Sequence, residues 1–276
     1  MDSISGRSSR PPFDASLKFR LLGPARQSQA ISGALVTLLP AVERRLVIED
    51  LELPRSLVVF CSDLYGPTVK AEFICKARQR ALLRLRSDLS WELAFPVIGH
   101  ELGHLLLCAA DGWPISPGSH TLGERTAGEF LAERLGLGLA GELGVSVQTS
   151  ASLTIEDVLG SWQYLCGKAR LIVEGAANWP EDRPRFARAV RIIIRDYAYA
   201  LGQAQASPNP PANEIVTWLE QRPLFGAALA ELRISAWDSA ELPPLRQLTW
   251  WIQSAGAILD VRLTQLTPEA LVGALA

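Results

Sequence analysis

The chain has 276 residues, a formal net charge of −2 and a pI near 6.0, with 48% hydrophobic and 20% charged residues. This balance is ordinary for a globular protein and does not favour nucleic acid or an anionic membrane surface as a partner. The first residues lack the apolar stretch of a secretory signal, and no apolar run approaches the ~20 residues needed to span a bilayer. Four cysteines without C-x-x-C spacing predict buried thiols in a reducing compartment, so we expect a cytoplasmic protein.

The first third of the chain predicts a tail, a helix and a small sheet. Residues 1–15, rich in Ser, Arg and Pro, predict a disordered tail. Apolar residues recur at three- and four-residue steps over 26–51, which predicts a helix. Three short strands are expected over 56–61, 68–76 and 78–87. The last of them alternates Leu with Arg80, Arg84 and Arg86, which is typical of an exposed edge strand.

The next predicted helix, over 91–110, carries the run V-I-G-H-E-L-G-H-L-L-L-C. His100 and His104 are four residues apart, so both imidazoles lie on one face of the helix and can bind one ion. Glu101 lies beside that ion. Zinc peptidases combine two histidine ligands with a carboxylate general base in this order. Apolar residues on both sides of the motif indicate a buried helix.

A catalytic zinc needs a third protein ligand and one open position for water. Residues 121–143 predict a second helix, which must fold back on the first for a side chain to reach the ion. Glu124, on the first turn of this helix, is the predicted third ligand, and the helix dipole favours an anion there. Glu129 and His120 remain the alternatives.

These two runs, H-E-L-G-H-L-L-L and E-R-T-A-G-E-F-L-A-E-R-L-G-L, resemble the ImmA/IrrE-type metallopeptidases of the gluzincin group. The resemblance covers roughly residues 26–143. Glu124 falls on the metal-ligand Glu of the family pattern, and Ala127 and Phe130 fall on its Ala and Phe. The Asn or Asp that the family places four residues after its ligand Glu, where it orients the second shell, is Gly128 here.

The resemblance implies an α+β, zincin-like domain made of a helix, a short twisted sheet, the H-E-x-x-H helix and a Glu helix. It implies zinc bound by His100, His104 and Glu124, with Glu101 as the general base of a zinc metalloendopeptidase. Such enzymes often cleave one regulatory protein, so the expected partner is a protein or peptide substrate. The alternative is a non-catalytic zinc-binding scaffold or sensor.

Substrate is expected to lie extended along the strand at 79–86, as an additional strand. The residue that stabilises the oxyanion is left open among His120, Tyr65 and Tyr164.

From about residue 151 the strand signals nearly vanish and long helical patterns follow. We therefore expect a metallopeptidase domain over 16–150 and an α-helical domain of unknown role over 151–276. Arg188, Arg191 and Arg195 form a stripe on one predicted helix. This stripe indicates a solvated helix face, with a grip on phosphate or an acidic partner as the alternative.

Overall fold

The computed structural model describes residues 17–23, 28–62, 71–76, 79–112, 120–143, 153–175, 179–206, 210–222, 224–226, 228–229 and 243–275. Within these ranges the chain is α+β and mostly helical, with eight helices and one small mixed sheet. The predicted N-terminal tail, Tyr65 and the predicted domain boundary at 150 lie outside the described residues.

The strands are β1 (Phe19–Leu22), β2 (Ser56–Ser62), β3 (Ala71–Lys76) and β4 (Arg80–Arg86). The helices are α1 (Ser28–Ile48), α2 (Trp91–Ala110), α3 (Leu122–Glu142), α4 (Ile155–Val173), α5 (Trp179–Ala206), α6 (Pro210–Glu220), α7 (Leu245–Leu263) and α8 (Pro268–Leu275). The helices predicted over 26–51, 91–110 and 121–143 are present as α1, α2 and α3, whereas β1 was not predicted.

The sheet corrects one prediction. Its strand order is β1-β2-β4-β3, with β1, β2 and β4 parallel and β3 antiparallel to β4. The Arg-rich strand is therefore central, and β3 is the edge strand on that side. Leu83 and Leu85 of β4 are buried, while Arg84 lies on the opposite face and pairs with Glu72 of β3 at 3.2 Å. The alternating arginines indicate a solvated sheet face, which a central strand can also have.

Helix α2 is buried over most of its length. Ser90 caps its first turn by accepting a hydrogen bond from the backbone N–H of Leu93. By length and composition α2 could cross a membrane, but 67% of its apolar window is buried inside the protein. It contacts α1, β3, α3 and α7.

The backbones of α2 and α3 approach each other closely, and small residues make this possible. A Cβ added at Gly103 would lie 2.3 Å from the carbonyl oxygen of Ala132, and one added at Gly136 would lie 2.3 Å from the carbonyl carbon of Gly99. Any larger side chain at Gly103 or Gly136 would push the helices apart. This contact brings the middle of α3, rather than its first turn, beside the two histidines.

Helix α3 also packs against α5 and α7, which belong to the predicted second domain. Phe130 of α3 and Trp251 of α7 have ring centroids 5.6 Å apart. One continuous cluster of buried apolar side chains runs from α1 to α8. The helical half therefore shares its core with the half that carries the motif.

The cysteines correct a second prediction. Cys75 of β3 and Cys108 of α2 form a disulfide, whereas Cys61 and Cys166 are free thiols. The expectation of four thiols was wrong for this pair, because a separation of 33 residues along the chain gives no sign that an edge strand will lie against the end of α2.

Candidate metal site

Three side chains from two helices could hold a metal ion. His100 and His104 of α2 and Glu129 of α3 place their ligand atoms within 4.8 Å of one another. The Nε2 atoms of the two histidines are 3.1 Å apart, and Glu129 Oε2 lies 3.1 Å from Nε2 of His100 and 3.5 Å from Nε2 of His104. The i, i+4 spacing thus brings the two imidazoles together as predicted, and the third member comes from α3.

The other ring nitrogen of His100 is held by a second carboxylate. Nδ1 of His100 donates to Glu133 Oε2 at 2.8 Å, and Nε2 of Gln203, on α5, donates to Glu133 Oε1 at 2.9 Å. A hydrogen bond at Nδ1 fixes the tautomer and orientation of the ring and leaves Nε2 for the ion. The imidazole is therefore oriented through a chain of contacts that begins in the helical half.

The electrostatics of the cluster favour a cation. Burial opposes a charge on His100, but its hydrogen bonds to Glu129 and Glu133 outweigh this and raise its pKa well above the ordinary value. Burial likewise opposes the charge on Glu129, but His104 and His100 hold its pKa well below the usual range. Because two imidazole nitrogens and an ionised carboxylate converge on one point, the donor set fits a divalent transition metal.

Glu124, the predicted third ligand, has a different role. Its carboxylate accepts a hydrogen bond from the backbone N–H of Thr121 at 2.8 Å, while Thr121 Oγ1 accepts one from the N–H of Glu124. Glu124 therefore closes the N-terminal capping box of α3, and it lies 3.4 Å from Nδ1 of His120. The carboxylate that lies beside the two histidines is that of Glu129, which the sequence left as an alternative.

Glu101 faces a cleft of about 430 Å³ that also contains the three cluster residues. The Glu101 side chain is buried, and its carboxylate accepts a hydrogen bond from the backbone N–H of Phe73 on the edge strand β3. Burial raises the pKa of Glu101, and the nearby His100 and His104 offset part of that rise. The Glu101 carboxylate of the motif therefore lies at the cleft and is not one of the three cluster residues.

Helix α5 supplies two further residues that line the cleft, and both were missed as site residues. The Tyr199 ring lies 5.1 Å from the His100 ring between centroids, and its hydroxyl hydrogen-bonds Glu129. Arg195, one turn earlier, has its guanidinium carbon 5.9 Å from the Tyr199 ring centroid. The stripe of arginines was a signal for Arg195, but nothing in the sequence singled out Tyr199.

Of the predicted candidates for oxyanion stabilisation that the structure describes, one lines the cleft and the other does not. His120 lines the cleft. Tyr164 lies on α4 with 50% of its surface exposed and is not among the cleft-lining residues. Tyr199 joins His120 as a hydrogen-bond donor beside the cluster.

Comparisons with known proteins place the chain in no family. No protein-family model matches it, and neither a curated protein nor a solved structure does.

Proposed function

We propose that the protein is a zinc-dependent peptidase whose metal is held by His100, His104 and Glu129. The observation that carries this proposal is the convergence of the H-E-x-x-H helix with a third ligand and an orienting carboxylate from α3. A structural zinc site has four protein ligands, whereas three ligands and a free carboxylate beside an open cleft are typical of a catalytic site.

The arrangement also supports the proposed kinship with the ImmA/IrrE-type gluzincins. With Glu129 as ligand, the position four residues further along is Glu133, and its carboxylate orients His100. This is the role that the family pattern gives to an Asn or Asp at that spacing. When the pattern is applied five residues later in the chain, Ala132 falls on its Ala and Glu133 takes the place of its Asn or Asp, whereas its Phe falls on Leu135.

A zinc ion in this site would lower the pKa of a water molecule from ~15.7 to ~7 and polarise a peptide carbonyl. The protein supplies the proton transfers. The carboxylate of Glu101 takes a proton from the attacking water and passes it to the leaving amine. Its raised pKa suits this role, because a base whose pKa lies nearer the working pH both accepts and releases the proton readily.

Substrate would lie along β3 rather than along the predicted strand at 79–86, because β4 is paired on both sides. Ala71, Phe73 and Cys75 of β3 line the cleft. The N–H of Phe73 points to Glu101, away from β4. In an antiparallel ladder alternate residues turn their backbone groups to the same side, so Ala71 and Cys75 present theirs to the cleft as well.

Tyr199 is the proposed donor to the oxyanion. Burial raises its pKa well above the ordinary value, and the charge of Glu129 raises it further, so the hydroxyl keeps its single proton. That proton is donated to Glu129 in this structure, and the hydroxyl would turn from Glu129 to the oxyanion when substrate is bound. A neutral donor aimed at the developing charge stabilises a tetrahedral transition state.

The substitution Glu101→Gln tests the proposal. We expect the purified protein to hold about one zinc per chain. The variant should keep this zinc and lose cleavage of unfolded casein. Metal analysis measures the zinc content, and the release of peptides from fluorescently labelled casein measures cleavage. Glu92→Gln, at an exposed position in the first turn of the same helix, is the control and should leave both unchanged. Full activity in Glu101→Gln, or activity that a chelator does not reduce, would refute the proposal.

A further inference from the structure

The cleft is not uniform in charge. Among the described residues, its carboxylates lie on β3, on α2 and at its C-cap, and in the first turn and the middle of α3, at Glu72, Glu101, Asp111, Glu124 and Glu129. The described arginines that line it are Arg125, in the first turn of α3, and Arg195 of α5. A substrate that crosses this cleft therefore meets carboxylates on most of its described walls and a guanidinium beside α5.

The Arg195 guanidinium is available for a ligand. Its side chain is 52% exposed, and its Nη2 lies 3.6 Å from the neighbouring Asp196, whose carboxylate is 7% exposed. A guanidinium carries five N–H donors in a planar fork, so a contact at one nitrogen leaves the others free to bind a carboxylate side-on. The Tyr199 ring, 5.9 Å away, packs beside the guanidinium.

The position of Arg195 relates it to the proposed site of cleavage. Its guanidinium carbon is 5.9 Å from the Tyr199 ring centroid, which is 5.1 Å from the His100 ring centroid. An extended peptide advances about 3.3–3.6 Å per residue, so these two steps correspond to about three residues. A side chain or chain end at that distance from the reacting bond reaches Arg195.

We propose that Arg195 forms a subsite for a carboxylate of the substrate, within about three residues of the cleaved bond. This inference rests on the proposed peptidase function and deepens it by naming a substrate class. The carboxylate belongs either to an acidic side chain or to the free end of the chain. A polyanion such as nucleic acid fits less well, because the other walls of the cleft carry carboxylates that repel repeated phosphates.

The cleavage test uses peptides of ten residues in matched pairs that differ by Glu or Gln at one position. Mass spectrometry locates the cleaved bonds. We expect wild-type protein to prefer the Glu member by about threefold to tenfold when it falls within three residues of the bond, the range of a partly exposed charged pair. Arg195→Gln should abolish the preference, and Arg195→Lys, which keeps the charge but not the planar fork, should retain part of it.

Arg188→Gln is the matched control. Arg188 is an exposed arginine of the same helix that does not line the cleft, so its loss should leave the preference unchanged. An equal effect of Arg188→Gln and Arg195→Gln would mean that bulk charge steers the peptide, and the subsite proposal would be wrong. Cleavage by the wild-type protein without any preference between the two peptides would be equally decisive against it.

A binding test separates this inference from the proposed function. Fluorescein-labelled Glu and Gln peptides are titrated with the Glu101→Gln protein, and fluorescence anisotropy gives the two dissociation constants. If no peptide is cleaved but the Glu peptide still binds more tightly in an Arg195-dependent way, peptidase activity fails and the subsite stands. If the wild-type protein cleaves both peptides without any such difference, peptidase activity stands and the subsite is refuted.

Two further experiments test where the carboxylate comes from and whether Arg195 binds phosphate instead. C-terminal amidation that removes the preference assigns Arg195 to a chain end, whereas a preference that survives amidation assigns it to an acidic side chain. A single-stranded DNA 20-mer that displaces the peptide in an Arg195-dependent way would overturn the proposal in favour of phosphate binding.

Discussion

Helices α2 and α5 contribute to the same cleft in different ways. Helix α2 carries its chemistry in consecutive turns, with His100, Glu101 and His104 within five residues. Helix α5 contributes Tyr199 and Gln203, and these reach the site only because α5 packs against α3. The comparison shows that the two histidines of the cluster follow from local spacing, whereas Glu129 and the groups that orient and surround the cluster follow from long-range packing.

The largest expected effect is the loss of metal when the third ligand is replaced. This test decides whether that ligand is Glu129, in the middle of α3, or Glu124, in its first turn. Glu129→Gln should lose the metal, because it removes one of three ligands. Glu124→Gln should keep the metal and change stability little, because a glutamine oxygen can still accept the hydrogen bond from the N–H of Thr121 in the capping box. Metal analysis after gel filtration and urea denaturation measure the two outcomes. Retention of metal in Glu129→Gln together with its loss in Glu124→Gln would restore the ligand set predicted from the sequence.

The next effect tests whether α5 supports the site through Glu133. Removing the carboxylate that orients His100, in Glu133→Gln, should weaken metal affinity about 10–100-fold. Gln203→Ala removes a donor one step further away and should cost less than Glu133→Gln. Competition with a zinc chelator gives both affinities. If the Gln203 variant binds metal as weakly as the Glu133 variant, then α5 acts on the site by a route other than this hydrogen-bonded chain.

The smallest effect on metal binding is expected from a change in the contact between α5 and α3 itself. A Cβ at Gly202 would lie 2.8 Å from the carbonyl oxygen of Phe130 and 2.9 Å from Cβ of Glu133, so Gly202→Ala must displace α5. We expect a loss of about 1–3 kcal/mol in the free energy of unfolding, together with weaker metal binding. Urea denaturation and the chelator assay report the two.

Gly167→Ala is the control for that change. Gly167 lies in α4 with nothing within 4 Å of the added Cβ, so alanine there should stabilise the helix by up to about 1 kcal/mol. A Gly202→Ala protein as stable as wild type would show that α5 tolerates the shift.

Much of the fold was predictable because it rests on local patterns. The apolar periodicity of α1, α2 and α3 and the apolar runs of the strands are visible in the sequence, and the predicted limits of α2 match the structure. The error at β4 has a physical cause: arginine at alternate positions is compatible with an edge strand and with a central strand that has one wet face.

The candidate site was predictable only in part. Glu124 and Glu129 of α3 were both candidates for the third metal ligand. The sequence also contains a feature that gives Glu124 a different role. The run Thr121-x-x-Glu124 is a capping-box signature, which commits that carboxylate to the start of the helix. The position of Glu129 depends on how closely α2 and α3 pack at Gly103 and Gly136, and this is a property of the tertiary structure.

The disulfide between Cys75 and Cys108 acts on the same segment as the proposed metal. It closes a loop with a sequence separation of 33 residues, and His100, Glu101 and His104 all lie inside that loop. A cross-link of this span reduces the conformational entropy of the unfolded chain by an amount worth about 4 kcal/mol in the loop-closure model. In the oxidised protein, therefore, the segment that carries the two histidines remains part of a loop closed by the Cys75–Cys108 bond even when the chain unfolds.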